Sequence, residues 1–182
     1  MSEYTDKELL EMFRDNDFKE FAFKTIIGKY QERLYWHIRK IVITHEDSDD
    51  ILQNTFIKIW KGLDHFREDS RLYTWLYRIA TNESLTFLKQ KRKRRYVPFL
   101  DIETHLINQL ESDEYVNGDQ IQKKLQKAIL KLPEKQRLVF NMKYFDDLKY
   151  EDMSEILDTS VGALKASYHH AVKKIEKYLQ EN

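Results

Sequence analysis

The sequence contains no cysteine, only two prolines and only four glycines among its 182 residues. Without cysteine the chain cannot form a disulfide, use a thiolate as a nucleophile or bind zinc through sulfur. The four glycines stand alone at positions 28, 62, 118 and 162, so the sequence has no glycine-rich loop able to cradle a phosphate or a dinucleotide. These absences disfavour most classes of nucleotide-dependent enzyme.

Long apolar runs are also missing, because no eight consecutive residues lack Asp, Glu, Lys and Arg. A membrane-spanning helix needs about 20 mostly apolar residues and a signal peptide an apolar segment of about 7 to 15. Neither is predicted. Hydrophobic residues make up 41% of the chain and charged residues 34%, which allows a core beneath a highly charged surface. We expect a soluble, cytoplasmic protein of one medium domain or two small ones.

The 31 basic and 31 acidic residues cancel, but they are segregated along the chain. Residues 71–95 carry eight Lys or Arg and one acid, whereas residues 96–122 carry six acids and no Lys or Arg. Six acids and one Lys follow in residues 144–158, and then four Lys and one Glu in residues 159–179. This alternation favours segments that attract a polyanion next to segments that repel it.

Scarce glycine and proline, together with apolar residues spaced by three or four, predict an all-α protein without strands. A helix is expected to begin after the acidic residues 47–50 and to end at Gly62 as a left-handed cap. The other predicted helices cover residues 18–42 in one or two pieces, a segment from about Ser70 into the basic run, residues 121–132, the segment after Pro133 to Tyr144, Tyr150 to Leu157, and Val161 to Leu179.

Residues 96–119 lose the helical spacing, are acidic and contain Pro98 and Gly118, which is typical of a linker. The prediction is therefore two small helical domains, at residues 1–95 and 120–182, joined by an acidic linker.

The last two predicted helices are separated only by residues 158–160, which predicts a helix-turn-helix. In this motif the second helix enters the DNA major groove, and Ser160 is well placed to cap it. An ordinary helical hairpin with a solvated basic face is the alternative. On the second helix, several polar side chains lie outside the apolar stripe and can reach a ligand. They include Lys165, Ser167, His169, His170 and Lys173.

Residues 65–95 interleave aromatic and basic side chains, a pattern typical of a site for single-stranded nucleic acid. Because Trp75 has the spacing of a core residue, most of these rings could instead be buried. On the preceding helix, Asp47, Asp50, Gln53 and Asn54 form an acidic and polar face opposite the apolar one. Next to a DNA-attracting segment this face indicates a protein partner, although a charged face is usually only solvated.

No catalytic residue, metal site or cofactor is predicted. His65, Glu68 and Asp69 are too few for a metal site without further ligands. His169 and His170 are adjacent and therefore diverge on a helix, and no serine-centred nucleophile motif is present. We expect a protein that is not an enzyme.

Three segments together resemble the sigma-70 family of bacterial transcription initiation factors, in its short extracytoplasmic function (ECF) group. Residues 47–60 are similar to region 2.2, which binds core RNA polymerase, and residues 66–82 to the regions that melt and read the minus-ten promoter element. Residues 132–137, 150–157 and 160–165 are similar to region 4, which reads the minus-35 element. The resemblance covers nearly the whole chain and implies two helical domains.

The resemblance also implies roles for individual positions and partners for the chain. The partners are core RNA polymerase, promoter DNA that is duplex upstream and single-stranded downstream, and an anti-sigma factor. Core polymerase binding falls on Asp47, Asp50, Gln53 and Asn54. Binding and melting of the minus-ten element falls on Arg71, Tyr73, Trp75, Arg78, Asn82 and Lys89. Binding of the minus-35 element falls on Ser160, Lys165, Ser167, His169, His170 and Lys173.

The sequence departs from the family pattern at several of these places. Asn54 stands where relatives often have Glu, Thr86 where many have Asp, and Asp158 where the turn usually has glycine. Ser167 and His170 replace common arginines, which implies weaker autonomous DNA binding with a shallower salt dependence.

Two other functions remain open from the residues alone. A stand-alone helix-turn-helix regulator would bind a duplex site without polymerase, and an adaptor would use both helical bundles only for protein contacts. The weak basicity of the last helix and the separate aromatic and basic segment argue against the stand-alone regulator.

Overall fold

The computed structural model describes residues 4–95 and 120–181, so the predicted linker at residues 96–119 lies outside the described residues. Within these two stretches the chain forms eight α-helices and no strand, which confirms the all-α prediction. The helices are α1 (Asp6–Arg14), α2 (Lys19–Val42), α3 (His45–Leu63), α4 (Leu72–Arg95), α5 (Gln120–Leu130), α6 (Glu134–Tyr144), α7 (Tyr150–Leu157) and α8 (Val161–Glu181).

Local capping explains where several of these helices begin. At α1 the Thr5 hydroxyl accepts a hydrogen bond from the Glu8 amide at 3.3 Å, and the Glu8 carboxylate accepts one from the Thr5 amide at 2.6 Å. The hydrogen bonds that the amide and the hydroxyl of Thr5 donate to this carboxylate lower the pKa of Glu8. The Thr44 side chain likewise accepts from the Asp47 amide at 3.3 Å. Each cap satisfies an amide that the first turn leaves without a helical partner.

Two details of the sequence prediction were wrong. Helix α3 begins at His45, before the acidic residues rather than after them, because Thr44 provides the cap. Gly62 is not a left-handed cap, since it lies inside α3 and none of the described glycines has a positive φ. Helix α7 has the predicted bounds, and its C-cap Asp158 adopts the left-handed conformation (φ 48°, ψ 50°) in the position usual for glycine.

One apolar core spans both predicted domains. Leu34, Ile38 and Leu76 of the N-terminal helices lie in the same buried cluster as Met142 and Met153 of the C-terminal helices. A second cluster lies between α5, α6 and α8, at Ile129, Phe140, Ala171 and Ile175 among others. The C-terminal helices therefore pack directly on the N-terminal bundle, with α7 against α4 and α6 against α2.

A buried charge cluster accompanies this contact. Asp146, between α6 and α7, lies 2.9 Å from His37 Nδ1 and 2.5 Å from Lys40 Nζ, both on α2. The side chains of His37 and Asp146 are 1% and 5% exposed. His37 Nε2 lies 2.9 Å from the Thr81 hydroxyl, which itself donates to the carbonyl of Tyr77. The His37 ring therefore links α2 to Asp146 through one nitrogen and to α4 through the other.

The environment of Asp146 favours its charged form. Burial alone would raise the pKa of its carboxyl group. The hydrogen bond and charge of His37, together with the charge of Lys40, outweigh that effect and hold the pKa of Asp146 below its usual range. The charge cluster therefore stabilises the packing of the domains wherever Asp146 is ionised.

Replacing Asp146 by Asn leaves the charge of Lys40 and the buried ring of His37 facing a neutral amide. We expect the free energy of unfolding of Asp146→Asn to fall by about 3 kcal/mol, as for other buried pairs that lose one partner. Urea unfolding followed by circular dichroism measures this loss. Asp147→Asn is the matched control, because its side chain is 92% exposed and its ion pair with Lys143 lies at the surface.

The loss depends on pH in a defined direction. A carboxyl group whose pKa is depressed on folding stabilises the fold above its unfolded pKa, and this stabilisation disappears as the pH falls through the folded pKa. The difference between wild type and Asp146→Asn is therefore expected in full at about pH 5 and to shrink below about pH 3.8. A difference of unchanged size in acid would contradict the role given to Asp146.

Candidate functional site

The exposed side of α3 carries a continuous polar and apolar surface. Asp50, Gln53 and Asn54 are exposed and share one side of the helix through their spacing of three and four residues. Ile57, one turn further, is 52% exposed, and Trp60 is 36% exposed. We call these five residues the α3 surface. Its acidic beginning and apolar end suit a protein partner more than a polyanion.

The fourth predicted residue of this helix is placed differently. Asp47 is only partly exposed and forms an ion pair with Lys91 of α4 at 2.5 Å. The amine of Lys91 also lies 5.4 Å from the centre of the Phe87 ring. Asp47 therefore joins α3 to α4 and stands apart from the α3 surface.

Trp75 is held at the start of α4 by two neighbours. Its ring centre lies 5.0 Å from that of Phe66. On its other side is Gly62, where an added Cβ would lie 3.1 Å from Cζ2 of Trp75. Gly62 is therefore required by the close approach of α3 to this ring rather than by a turn.

An open cavity of about 170 Å³ lies beside Trp75. The loop before α4 forms much of its wall and is fixed at one end by an ion pair of 2.7 Å between Lys19 and Asp64. A second ion pair of 2.7 Å, between Arg14 and Glu68, holds its middle. The cavity thus combines aromatic faces with cationic and polar groups. It is lined by His65, Phe66, Arg67, Asp69, Ser70, Trp75 and Arg78.

The predicted residues of α4 divide between two sides of the helix. Arg78, Asn82 and Lys89 are exposed and follow Trp75 along one side. Tyr73 lies on the other side, where its hydroxyl donates a hydrogen bond to Asp152 of α7. Arg71, which directly precedes the helix, is exposed and hydrogen-bonded to Tyr73, and this bond raises the pKa of Arg71. The structure therefore does not bring all six predicted residues onto one surface.

The turn between α7 and α8 has the predicted helix-turn-helix form. Met153 and Ile156 of α7 are buried in the same cluster as Leu164 of α8. The Ser160 hydroxyl accepts a hydrogen bond from the Ala163 amide at 3.3 Å, so it caps α8 as predicted.

Helix α8 presents most of its predicted residues to solvent. Lys165, His169 and Lys173 are exposed and recur at every fourth residue along one side. The amine of Lys165 lies 5.7 Å from the centre of the Tyr150 ring of α7. His170 is exposed on a neighbouring side, whereas Ser167 is partly buried.

Comparison with known proteins assigns the chain to a family. The sigma-70 region 2 family model matches residues 26–94, and the sigma-70 region 4 family model matches residues 122–175. The RNA polymerase sigma-H factor of Pseudomonas aeruginosa is 30% identical, over 99% of this chain and 96% of its own. The ECF RNA polymerase sigma-E factor of Escherichia coli strain K12 is also 30% identical, over 97% and 95%. The chain belongs to the sigma-70 family, in its ECF group.

Solved structures share the fold of this ECF sigma factor. CnrH, in complex with the cytosolic domain of CnrY, is similar with a TM-score of 0.72 and 21% identity, over 97% of this chain and 98% of its own. The sigma factor RpoE of Bartonella quintana, in complex with the anti-sigma factor NepR, gives a TM-score of 0.67 and 20% identity over 87% and 96%.

Two features are absent from residues 4–95 and 120–181 of the ECF sigma factor. No helix there is long and apolar enough to cross a membrane. No group of three or more His, Cys, Asp or Glu in the same stretches is arranged to hold a metal ion.

Sequence reasoning missed parts of the candidate site. Ile57 was not selected, although its spacing from Asp50 and Gln53 places it on the same side of α3. The cavity was also missed, because the shape of the loop that walls it depends on ion pairs made by Arg14 and Lys19 far away in the sequence. No sequence pattern within the loop predicts these two ion pairs.

The contact between Gly62 and Trp75 predicts opposite outcomes for two glycines. Gly28→Ala should stabilise the protein by up to about 1 kcal/mol, because Gly28 is helical and nothing lies within 4 Å of the new methyl group. At Gly62→Ala the same gain is opposed by a crowded Trp75, and overpacking costs about 1 to 3 kcal/mol. We expect thermal unfolding to show Gly62→Ala as the less stable variant. Equal stabilisation by both changes would show that Trp75 is not held by Gly62.

Proposed function

We propose that this ECF sigma factor binds core RNA polymerase through the α3 surface and brings it to promoters that it opens with α4 and reads upstream with α8. The observation that carries this proposal is the aromatic and cationic cavity beside Trp75. It lies next to the exposed Arg78 and Asn82, and its Trp75 packs against Gly62 of α3, the helix that carries the α3 surface.

The α3 surface supports the polymerase contact. Asp50, Gln53 and Asn54 offer a charge and hydrogen-bonding groups that discriminate between partners, and Ile57 offers apolar area. Interfaces of this kind gain affinity from an apolar centre and specificity from a polar rim. Asp47 supports the surface indirectly, by joining α3 to α4 through Lys91.

The cavity supports capture of a base that has left the duplex. Trp75, backed by the buried ring of Phe66, provides a flat face on which an unstacked base can rest, and Arg78 provides a cation for the backbone. Asn82 and Lys89 continue the same side of α4 and would extend the contact along the non-template strand. Removing a base from the stack costs a few kcal/mol. A protein that melts DNA only by binding it must offset this cost with contacts to the unstacked base, and the cavity offers such contacts.

The side of α8 that carries Lys165, His169 and Lys173 supports upstream recognition. Its exposed cations are spaced to follow one edge of the major groove, while the amides near Ser160 point towards a phosphate. His170 lies beside this row. Ser167 is partly buried and would contact DNA only at the margin of the interface.

The remaining expectations follow from this function. The chain would act in the cytoplasm with the polymerase and perform no covalent chemistry of its own. An anti-sigma factor is also proposed as a partner, because RpoE of Bartonella quintana was solved with NepR. The proposal differs from a stand-alone regulator and from an adaptor in requiring both polymerase and DNA.

Run-off transcription with bacterial core polymerase and a pooled promoter library tests the function. We expect discrete transcripts only when the chain is added, with shared upstream and downstream promoter elements. A reference sigma factor shows that the core enzyme is active. No new transcript, together with duplex binding in the absence of polymerase, would favour the stand-alone regulator.

The same assay separates the upstream contact from the others. Lys165→Ala should reduce transcription about fivefold from promoters with the upstream element, because one contact to DNA is lost. Lys177→Ala, at the far end of the same helix, should leave it unchanged. An equal loss for Lys165→Ala on promoters without the upstream element would contradict the role of α8.

Charge reversal in the α3 surface tests the polymerase contact. Asp50→Lys should weaken binding to core polymerase by at least about tenfold, because a positive charge would replace the negative charge that Asp50 presents to the partner. Glu20→Lys reverses an exposed acid on α2 and serves as the control. Binding is measured by titration of labelled protein with core enzyme, with unfolding midpoints measured in parallel. Equal affinities of the two variants would exclude the α3 surface.

A further inference from the structure

A carboxylate of the C-terminal domain is bound by two hydroxyl groups at the start of α4, next to Arg71. Asp152 of α7 accepts a hydrogen bond from the Tyr73 hydroxyl and lies 3.4 Å from the hydroxyl of Thr74. Asp152 is 7% exposed and Thr74 is 2% exposed. Arg71 is hydrogen-bonded to Tyr73, and its pKa is raised first by that bond and then by the charge of Asp152.

The three residues offer an anion two hydroxyl donors and a nearby positive charge. The hydroxyl groups of Tyr73 and Thr74 converge on a carboxylate, which only accepts hydrogen bonds when ionised, and the guanidinium group of Arg71 is hydrogen-bonded to Tyr73. Side chains of these types make most of the phosphate contacts in protein–DNA interfaces. A phosphodiester oxygen therefore satisfies the same donors as the carboxylate of Asp152.

The position of the site connects it to DNA. Arg71 precedes α4 by one residue, and Trp75, one turn later, lines the cavity proposed for an unstacked base. A strand whose base enters that cavity would bring its backbone close to Arg71. Asp152 belongs to an acidic segment, residues 144–158, which also contributes Asp146 to the contact between the domains.

We propose that Arg71, Tyr73 and Thr74 bind a backbone phosphate of the single-stranded promoter DNA, and that Asp152 occupies this phosphate site while the domains are packed together. This inference rests on the proposed function and adds a competition to it. The C-terminal domain and the DNA strand exclude each other from one site. In the free chain only the molecules in which Asp152 has left the site can bind the phosphate there. The apparent affinity for DNA is therefore the affinity of the vacant site multiplied by the fraction of such molecules.

Removing the charge of Asp152 tests this competition in the full chain without polymerase. The probe is a short fluorescein-labelled single-stranded DNA of mixed sequence, because phosphate contacts carry no sequence information. We expect Asp152→Asn to bind it about five- to tenfold more tightly than wild type at low salt. Glu151→Gln removes an exposed charge from the neighbouring position of α7 and should bind like wild type. Equal affinities of the two variants, or weaker binding by Asp152→Asn, would overturn the proposal.

A second measurement uses the wild-type contact and does not depend on how well Asp152→Asn folds. Since the chain has no cysteine, Glu20→Cys and Glu176→Cys allow a dye pair to be attached, one dye on each domain. Saturating single-stranded DNA should lower the energy transfer between the dyes, because Asp152 leaves the site. Bound DNA with unchanged transfer would overturn the proposal.

The outcome is separable from that of the proposed function. Run-off transcripts combined with equal DNA affinities of Asp152→Asn and Glu151→Gln would reject only the competition. Tighter binding by Asp152→Asn without any transcript would retain the phosphate site and reject the sigma factor assignment of these surfaces.

Discussion

The charge cluster of His37, Lys40 and Asp146 fixes how the two halves of the chain meet. His37 and Asp146 are 109 residues apart in sequence, yet their polar atoms lie 2.9 Å apart and almost out of reach of water. A buried charge without its partner is costly, so few alternative registers of the two domains are tolerated. Asn141 adds a hydrogen bond of 3.3 Å to the backbone carbonyl of Lys40. The packing of α7 against α4 follows from this register.

Helix α4 is used on all of its sides. Leu76, Tyr77 and Ala80 are buried in the core, whereas Arg78 and Asn82 face solvent. A third side, with Tyr73, faces α7. A helix with three different surroundings shows neither a simple apolar stripe nor a simple basic one. This explains why aromatic and basic residues alternate along α4. It also explains why some of its rings are buried in the core while others lie at the candidate nucleic-acid site.

Local patterns predicted the local features of the fold. The bounds of α7 and the cap at Ser160 both depend on a few neighbouring residues. Features that depend on distant contacts were beyond such patterns. Gly62 was interpreted as a cap because glycine commonly ends helices, but Trp75 decides its role.

The candidate site likewise has features that local sequence patterns predict and features that depend on distant contacts. Exposure of Asp50, Gln53, Lys165 and His169 follows from helical spacing and was predictable. The pairing of Asp47 with Lys91 joins residues 44 positions apart, and that of Tyr73 with Asp152 joins residues 79 positions apart. Such pairs depend on the packing of whole helices. A sequence pattern within one helix does not predict such pairs. The partners of Asp47 and Tyr73 within the chain were therefore not foreseen.

The core shared by the two domains has a consequence for temperature. Separating the domains must bring apolar surface from residues such as Met142 and Met153 into water. Apolar contacts weaken on cooling, because the hydration of apolar surface carries a large heat capacity. Hydration of the charges of Lys40 and Asp146 becomes more favourable in the cold as well. Both contributions act in the same direction, so cooling weakens the contact between the two halves of the chain.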